Sequence, residues 1–582
     1  MVVSRRMPFT RKTVASKFYI FSLIDQRNND LIVATMFIET ISSQGKYSTI
    51  LLRESFREDG KVKHRTIVNL SKCSEDEIDA IKLAFKHKKN LVEIDSINNI
   101  VTLHQGLSVG AVLVIKEIAQ RLGISDALGS SREGKLALWQ VIARVIDQGS
   151  RLSATRLAGS HACCDILGLG SFCEDHLYKN LTWISSKQDI IEDAIFRYLY
   201  DKAKPDLFLY DVTSSYLEGS QNELAAFGYN RDGKKGKQQI VVGLLCNVLG
   251  DPLSIEVFSG NTCDTKTFAS QVKKAAERFG GGEVTFVGDR GMIKAKQIEE
   301  LEANDFHYIT GITKPQIEAL LKRGIFQMNL FENALCEIQE EDGPRYILRR
   351  NPQRAEEVKN TRNEKKLTLL KLIGKTNDYL KEHPKAKIEN GIKKITAKAK
   401  KLKMNGWVSI KATDRTLSLE IDSEALKEEE KFDGCYVLKT DLEAERFSKE
   451  IIHSRYKDLS LVERAFRTMK TGHLELHPVN VRLANHTRAH ALVAMLAYKI
   501  TRELEKCWGT LNTTVMDGIA ELNTLCSTEI HIKGEPRSIV IPVPRDSIKP
   551  LIELAKVVLP KSIPSKGIKV SSRKKLQDER KH

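Results

Sequence analysis

A chain of 582 residues with 92 Lys and Arg against 75 Asp and Glu, a net charge of +17, is too long for one ordinary domain and attracts polyanions. Apolar residues at 41% and charged residues at 29% exclude a disordered protein and suit about three or four folded units. No apolar run approaches the ~20 residues of a membrane span, no signal peptide is evident, and the ten cysteines form no CxxC pair, so a soluble, intracellular, reduced protein without membrane contact is expected. Nucleic acid is the commonest partner for such a charge excess, although charge alone leaves membranes and simple solubility open.

Residues 1–46 are expected to form a basic, disordered arm, because Arg5, Arg6, Arg11, Lys12 and Lys17 occur there with no acid among the first 18 residues; Met36 is an alternative start. Over residues 47–74, polar and apolar residues alternate around Asp59 and Gly60, the signature of a β-hairpin. Its exposed face would carry Arg53, Arg57, Lys61, Lys63 and Arg65, which suits phosphate contact and a merely solvated face equally. Residues 75–204 are expected to be a helical, DNA-binding module. Within it, residues 111–128 have the outline of a helix-turn-helix, weaker than the case for a generic packing unit. His161, Cys163, Cys164, Cys173 and His176 cluster there, but adjacent cysteines fit one tetrahedral zinc poorly and are read as packing.

At residue 205 the texture changes to strands. LFLYDVTSSYLEG ends an apolar run at Asp211, two further strands follow, then a helix, then VTFVGDRGM ending at Asp289, and a fifth strand in DFHYITGI. Residues 205–312 and 434–510 therefore form two parts of one α/β core, separated by a lysine-rich insertion domain at 313–433. In the second part His486 and His490 are four apart, but with no third ligand nearby they are assigned to capping and packing. A C-terminal region with a basic tail occupies 511–582.

Residues 454–470, SRYKDLSLVERAFRTMK, repeat Tyr456, Leu459, Glu463, Phe466 and Lys470 at spacings of three and four, which predicts one helix with Glu463 on its apolar face. An inward glutamate must be paired, hydrogen-bonded or bound to a metal. A salt bridge is the simpler reading of the helix alone. Asp211 and Asp289, each expected at the C-terminal end of an apolar strand, turn the balance toward metal ligation. Three converging carboxylates repel unless divalent cations neutralise them, and all-oxygen ligands suit Mg²⁺ or Mn²⁺. Two such ions would serve an in-line phosphoryl transfer.

With YDVTSSY at Asp211, VGDRGM at Asp289 and the Glu463 helix in this order, the chain resembles bacterial insertion-sequence DDE transposases of the ribonuclease H-like superfamily. It is most similar to the group whose glutamate helix carries a Tyr, Arg, Glu, Lys signature. Tyr456, Glu463 and Lys470 stand at three of those positions and Leu459 stands where the arginine would be. NLTWI, GNTCD and GCYVLKTD are similar to its connecting segments, and the likeness spans residues 47–504.

The resemblance implies a mixed five-stranded ribonuclease H-like core with flanking helices, interrupted by an insertion domain and preceded by a β-hairpin and an all-α module. The implied function is metal-dependent cleavage at the ends of an insertion sequence and strand transfer into target DNA, with Asp211, Asp289 and Glu463 as catalytic and metal-binding residues. Tyr456 and Lys470, with Arg464 and Arg290 beside them, would contact DNA. Its partners would be double-stranded DNA, as terminal inverted repeats and target, and a second copy in a homodimer. Its place would be the bacterial cytoplasm, on the nucleoid. A catalytically inactive DNA-binding descendant and a structure-specific nuclease of the same fold are the competing readings.

Overall fold

The computed structural model describes residues 35–43, 47–58, 61–86 and 101–570, except 203, 220, 230, 232, 235, 280–283, 342, 471–473, 475, 477–478, 533–536, 565–566 and 569. Most of the expected basic arm, the Asp59-Gly60 turn and the end of the basic tail lie outside these residues. The chain forms two compact units, one of residues 1–104 and 529–538 and one of residues 105–528 and 539–582.

In the first unit, β1 (Thr35–Ser43), β2 (Tyr47–Glu58) and β3 (Lys61–Asn69) form an antiparallel sheet in the order β1-β2-β3. The expected hairpin thus gains a third strand from residues assigned to the arm. Arg53 pairs with Glu39 at 2.5 Å and Arg65 with Glu54 at 2.5 Å, so two of the five basic residues on this sheet already have counter-ions. Helix α1 (Glu75–Lys86) starts on a capping box in which the Ser74 amide donates to Glu77 Oε2 and the Glu77 amide to Ser74 Oγ.

The chain passes into the second unit within β4 (Val101–Ser108) and continues as α2 (Gly110–Arg121), α3 (Ile124–Leu128), α4 (Arg132–Ile146), α5 (Arg151–Ser160), α6 (Cys163–Leu167) and α7 (Glu174–Tyr200). Ser131 and Ser150 cap α4 and α5 by accepting from the amides of Gly134 and Ser153. Helix α2 is buried on most of its circumference, and α3 has five residues with Ile124 and Leu128 buried. Nothing here resembles an exposed recognition helix, so the helix-turn-helix outline is a packing element. Cys173 and His176 form the cap of α7, His161 bonds Asn523 at 3.1 Å, and Cys163 and Cys164 are buried in the core.

Strands β5 (Leu207–Tyr216), β6 (Gln239–Asn247) and β7 (Pro252–Ser259) follow as an antiparallel meander. Then come α8 (Asp264–Lys274), β8 (Val284–Gly288), α9 (Ala295–Glu302) and β9 (Phe306–Gly311), with β8 parallel to both β5 and β9. After α10 (Lys314–Lys322), β10 (Cys336–Gln339) and β11 (Arg345–Arg350) extend the same sheet.

The chain leaves the sheet after β11 for α11 (Pro352–Glu382), α12 (Ile388–Lys401), the hairpin β12 (Val408–Thr413) and β13 (Thr416–Ile421), and α13 (Ser423–Glu430). These elements have their own core, with Leu369, Ile373, Ile395, Trp407 and Leu417 buried together. The chain returns as β14 (Cys435–Thr440), which pairs with both β11 and β9.

The sheet therefore has eight strands, in the order β10-β11-β14-β9-β8-β5-β6-β7, where five were expected. LCEIQEEDGPRYILRRN, read as part of the insertion, adds two of them as an edge hairpin, so the excursion away from the sheet begins near residue 351 rather than 313.

The last elements are α14 (Lys449–Lys457), α15 (Leu459–Lys470), α16 (Ala484–Cys507), α17 (Val515–Asn523), β15 (Cys526–Ile532) and α18 (Lys549–Leu554). One sheet face packs Phe208, Tyr210, Phe286 and Tyr308 against α8 through Phe268 and Val272. The other packs Leu209, Leu244, Val287 and Ile309 into one core with α15, α16 and helices α2 to α7. The amino-terminal helices therefore share a core with the sheet instead of standing apart from it. No helix among the described residues is long and apolar enough to cross a membrane.

Candidate active site

Alternation along β5 decides where its aspartate points. Phe208, Tyr210 and Val212 lie in one core, Leu207 and Leu209 in the other, and a period of two puts Asp211 and Thr213 on the second face, the one α15 covers. Asp211 is the fifth of ten strand residues, not the last as expected. What ends beside it is β8. The parallel register runs from Leu207 opposite Thr285 to Tyr210 opposite Gly288, so its next step sets Asp211 level with Asp289 as β8 stops.

Asp211 is half-buried and Asp289 is exposed in the turn that follows β8. Each carboxylate accepts from the amide that follows it, Val212 at 2.7 Å and Arg290 at 2.8 Å. The Asp211 carboxyl is pushed up to about 7, first by burial and then by the negative charges of Asp289 and Glu463; the Val212 amide and Arg231 oppose the shift. The charges of the other two predicted carboxylates are thus both felt at Asp211. Among the described residues no three His, Cys, Asp or Glu side chains are grouped closely enough to hold a metal ion. The three carboxylates are nevertheless oxygen donors of the kind that Mg²⁺ or Mn²⁺ takes, and a cation bound there would return the Asp211 carboxyl to its charged form.

The predicted single helix over 454–470 is two helices, because the chain breaks at Asp458 between α14 and α15. The break resets the buried face of α15 to Val462, Ala465, Phe466 and Met469, and Glu463 stands exposed beside it instead of pointing into the core. The expected puzzle of an inward glutamate therefore disappears.

Tyr456 belongs to α14, and its hydroxyl donates to Asp289 Oδ1 at 3.1 Å. Burial, followed by the charge of Asp289, pushes this phenol far above its ordinary value, so it remains a proton donor. Gly311 at the end of β9 makes the room, since a Cβ there would lie 2.7 Å from the Tyr456 hydroxyl oxygen. Lys470 donates from Nζ to Thr213 Oγ1 at 3.0 Å, which fixes its charge two residues along β5 from Asp211.

Arg290 is exposed next to Asp289, and its charge is felt at Tyr456. Arg464 instead pairs with Glu505 of α16 at 2.5 Å. Leu459, in the signature's arginine position, begins α15 and packs against the core. His486 bonds Thr182 at 3.0 Å and His490 bonds Arg151 at 3.2 Å, both between helices.

Three residues here were not singled out from sequence. Thr213 lay inside a quoted motif. Gly311 had no signal beyond ending an apolar run. Arg231, which pairs with Asp264 at 2.5 Å, sat unremarked in a basic loop.

The transposase DDE domain family matches residues 202–500, which is just over half of the chain, and the family described as IS1634 family transposase, N-terminal domain, matches residues 38–95. No curated protein matches. A cryo-EM structure of the piggyBac transposase synaptic complex with hairpin DNA is similar at 9% identity over 72% of this chain and 69% of that one, with a TM-score of 0.34, too distant a likeness to carry an argument.

Proposed function

Because the chain belongs to the transposase DDE domain family, we propose that it cuts DNA at insertion-sequence ends and joins them to target DNA, using Asp211, Asp289 and Glu463. The observation that carries this reading is the β5/β8 register, which brings Asp211 level with Asp289 on the sheet face that the Glu463 helix covers. Strands β7-β6-β5-β8-β9, three antiparallel and then two parallel, support a ribonuclease H-like core enlarged by three edge strands.

Mg²⁺ or Mn²⁺, as two ions held by the three carboxylates, would supply neutralisation of the attacked phosphate and activation of an oxygen nucleophile. The chain's own residues do the positioning. The Tyr456 hydroxyl fixes one oxygen of Asp289, and Lys470, steadied by Thr213, offers a point charge to a phosphate lying over Asp211. Arg290 adds a second charge beside Asp289. Arg464 would have to abandon Glu505 to reach DNA, so it is left out of the site. A homodimer on the DNA, acting on the nucleoid in the bacterial cytoplasm, completes the proposal.

The test uses the full chain with duplexes bearing the element's terminal inverted repeats and Mg²⁺. The wild type is expected to nick and then join, and Asp211→Asn, Asp289→Asn and Glu463→Gln each to abolish both steps while still binding DNA. A variant that joins at the parental rate removes that residue from the site. Cutting without joining would make the protein a nuclease, and binding without cutting an inactive descendant.

A further inference from the structure

The charge of the excursion is concentrated beyond the ordinary needs of solubility. Residues 352–401, which span α11 and α12, hold fifteen Lys and Arg against six Asp and Glu, so about fifty residues carry more than half of the chain's net +17. The charges fall into two groups. In the first part of α11, Arg354 pairs with Glu357 at 2.7 Å, Lys359 with Glu356 at 4.0 Å and Arg362 with Asp433 at 2.6 Å, as on an ordinary solvated helix. Further along the two helices line an open groove of about 580 Å³, with Lys371 and Lys375 on the α11 wall and Lys394, Lys398 and Lys401 on the α12 wall. Among the described residues, none of these five has an ion-pair partner.

Both walls follow from the helix period. Lys371 and Lys375 are one turn apart, as are Lys394 and Lys398, so ammonium groups recur roughly every 6 Å along each wall. The opposite sides of both helices are packed into the core around Ile373, Ile395 and Leu417. Unpaired like charges facing each other across a groove destabilise the fold and repel cations. They complement a polyanion that lies between them, and a DNA strand offers one phosphate per ~3.4 Å of axis. Besides the five lysines the groove is lined by Thr368, Leu372 and Ala397, with no Arg, Asn or Gln for a bidentate contact to a base edge.

Resting on the transposase reading, we propose that the α11/α12 groove grips the sugar–phosphate backbone of duplex DNA outside the active site, without regard to sequence. It would act as a clamp supplying affinity, and the carboxylate site would supply chemistry.

The experiment compares the full chain with Lys371→Gln, Lys375→Gln, Lys394→Gln and Lys398→Gln combined, on a duplex lacking terminal repeats, over about 50 to 300 mM salt. Each lost phosphate contact should remove about 0.9 from the slope of log affinity against log salt, so a fall of about 3 to 4 is expected. The same four positions changed to Arg should keep the parental slope, which guards against misfolding as the cause. Substituting four ion-paired lysines elsewhere, Lys82, Lys273, Lys411 and Lys431, should change it by less than about one unit. A groove variant whose slope stays within about one unit of wild type, or control substitutions that lower it as much, would overturn the clamp. Cleavage of repeat-bearing DNA by the wild type is scored separately, so a chain that cuts but keeps its slope refutes the clamp alone.

Discussion

Gly311 and Tyr456 give a test of the site in which no carboxylate is touched. An alanine methyl at Gly311 would lie 2.7 Å from the Tyr456 hydroxyl oxygen and 3.3 Å from Cζ. The ring can swing by a few tenths of an ångström, so the fold should survive, but the 3.1 Å bond to Asp289 should not. A hydrogen bond to a carboxylate contributes about 1.5 to 3 kcal/mol, and the exposure of Asp289 argues for the lower end of that range or just below it, about 1 to 2 kcal/mol. If that bond orients Asp289 during phosphoryl transfer, Gly311→Ala should slow strand transfer by roughly 5- to 30-fold, and Tyr456→Phe by a similar factor. In the Tyr456→Phe background the hydroxyl is gone and only the 3.3 Å contact to Cζ remains, so adding Gly311→Ala should cost little more. A double-mutant cycle on single-turnover strand-transfer rates measures this coupling directly. Multiplying effects, or a Gly311→Ala chain with the parental rate, would show that Gly311 does not act through the Tyr456 hydroxyl, and a parental rate for Tyr456→Phe would show that the bond to Asp289 does not support strand transfer.

Other consequences are open to measurement. At pH 8, without divalent cations, Asp211→Asn should raise thermal stability, because it removes a carboxylate that burial and its neighbours push up to about 7; the gain is at most about 4 kcal/mol. Mg²⁺ or Mn²⁺ should raise the melting temperature of the wild type and have little effect on Asp211→Asn; equal shifts in the two would place the cations elsewhere. Thr213→Val should slow strand transfer about 5-fold by removing one hydrogen bond that positions Lys470, less than Lys470→Gln, and the reverse order in single-turnover rates would contradict the proposed support. His453 is buried, and burial followed by the charges of Lys457 and Arg349 lowers it to about 4. A base whose folded value lies below its unfolded one loses stability as pH falls from about 6.5 to about 4, so urea unfolding should show a loss of up to about 3 kcal/mol that His453→Gln largely removes.

The parts of this fold legible in sequence were those written in local pattern. The apolar run into Asp211, the strand closing at Asp289 and the meander between them are visible because β alternation and strand length are properties of neighbouring residues. The contacts of the candidate site depend on pairing across long separations, which local periodicity does not encode. That Asp211 sits mid-strand follows from β5 outlasting its partner β8, and that Tyr456 reaches Asp289 follows from a helix break at Asp458 and a glycine at the end of β9. Glu463 was misplaced for a related reason. Positions 459, 463, 466 and 470 and positions 462, 465, 466 and 469 are both acceptable helical stripes, and only packing chooses between them. The edge strands β10 and β11 were visible as strands, but nothing local said that they would join the main sheet.

The point where the excursion leaves the sheet bears on how such a chain can be assembled. Arg350 is directly opposite Cys435, and the Asn351 amide donates to the Gly434 carbonyl at 2.8 Å, so the departing and returning strands are stitched together at the neck. Gly434 holds a φ of +74°, and a Cβ there would lie 2.3 Å from the Asn351 carbonyl oxygen, so the neck needs a glycine. To the sheet, everything between these residues is equivalent to a hairpin turn. Material can be gained, lost or exchanged there at a small entropic cost of loop length, without altering a register on which Asp211 depends. The neck is a socket, and what is plugged into it can change while the sheet beneath Asp211 keeps its pairing.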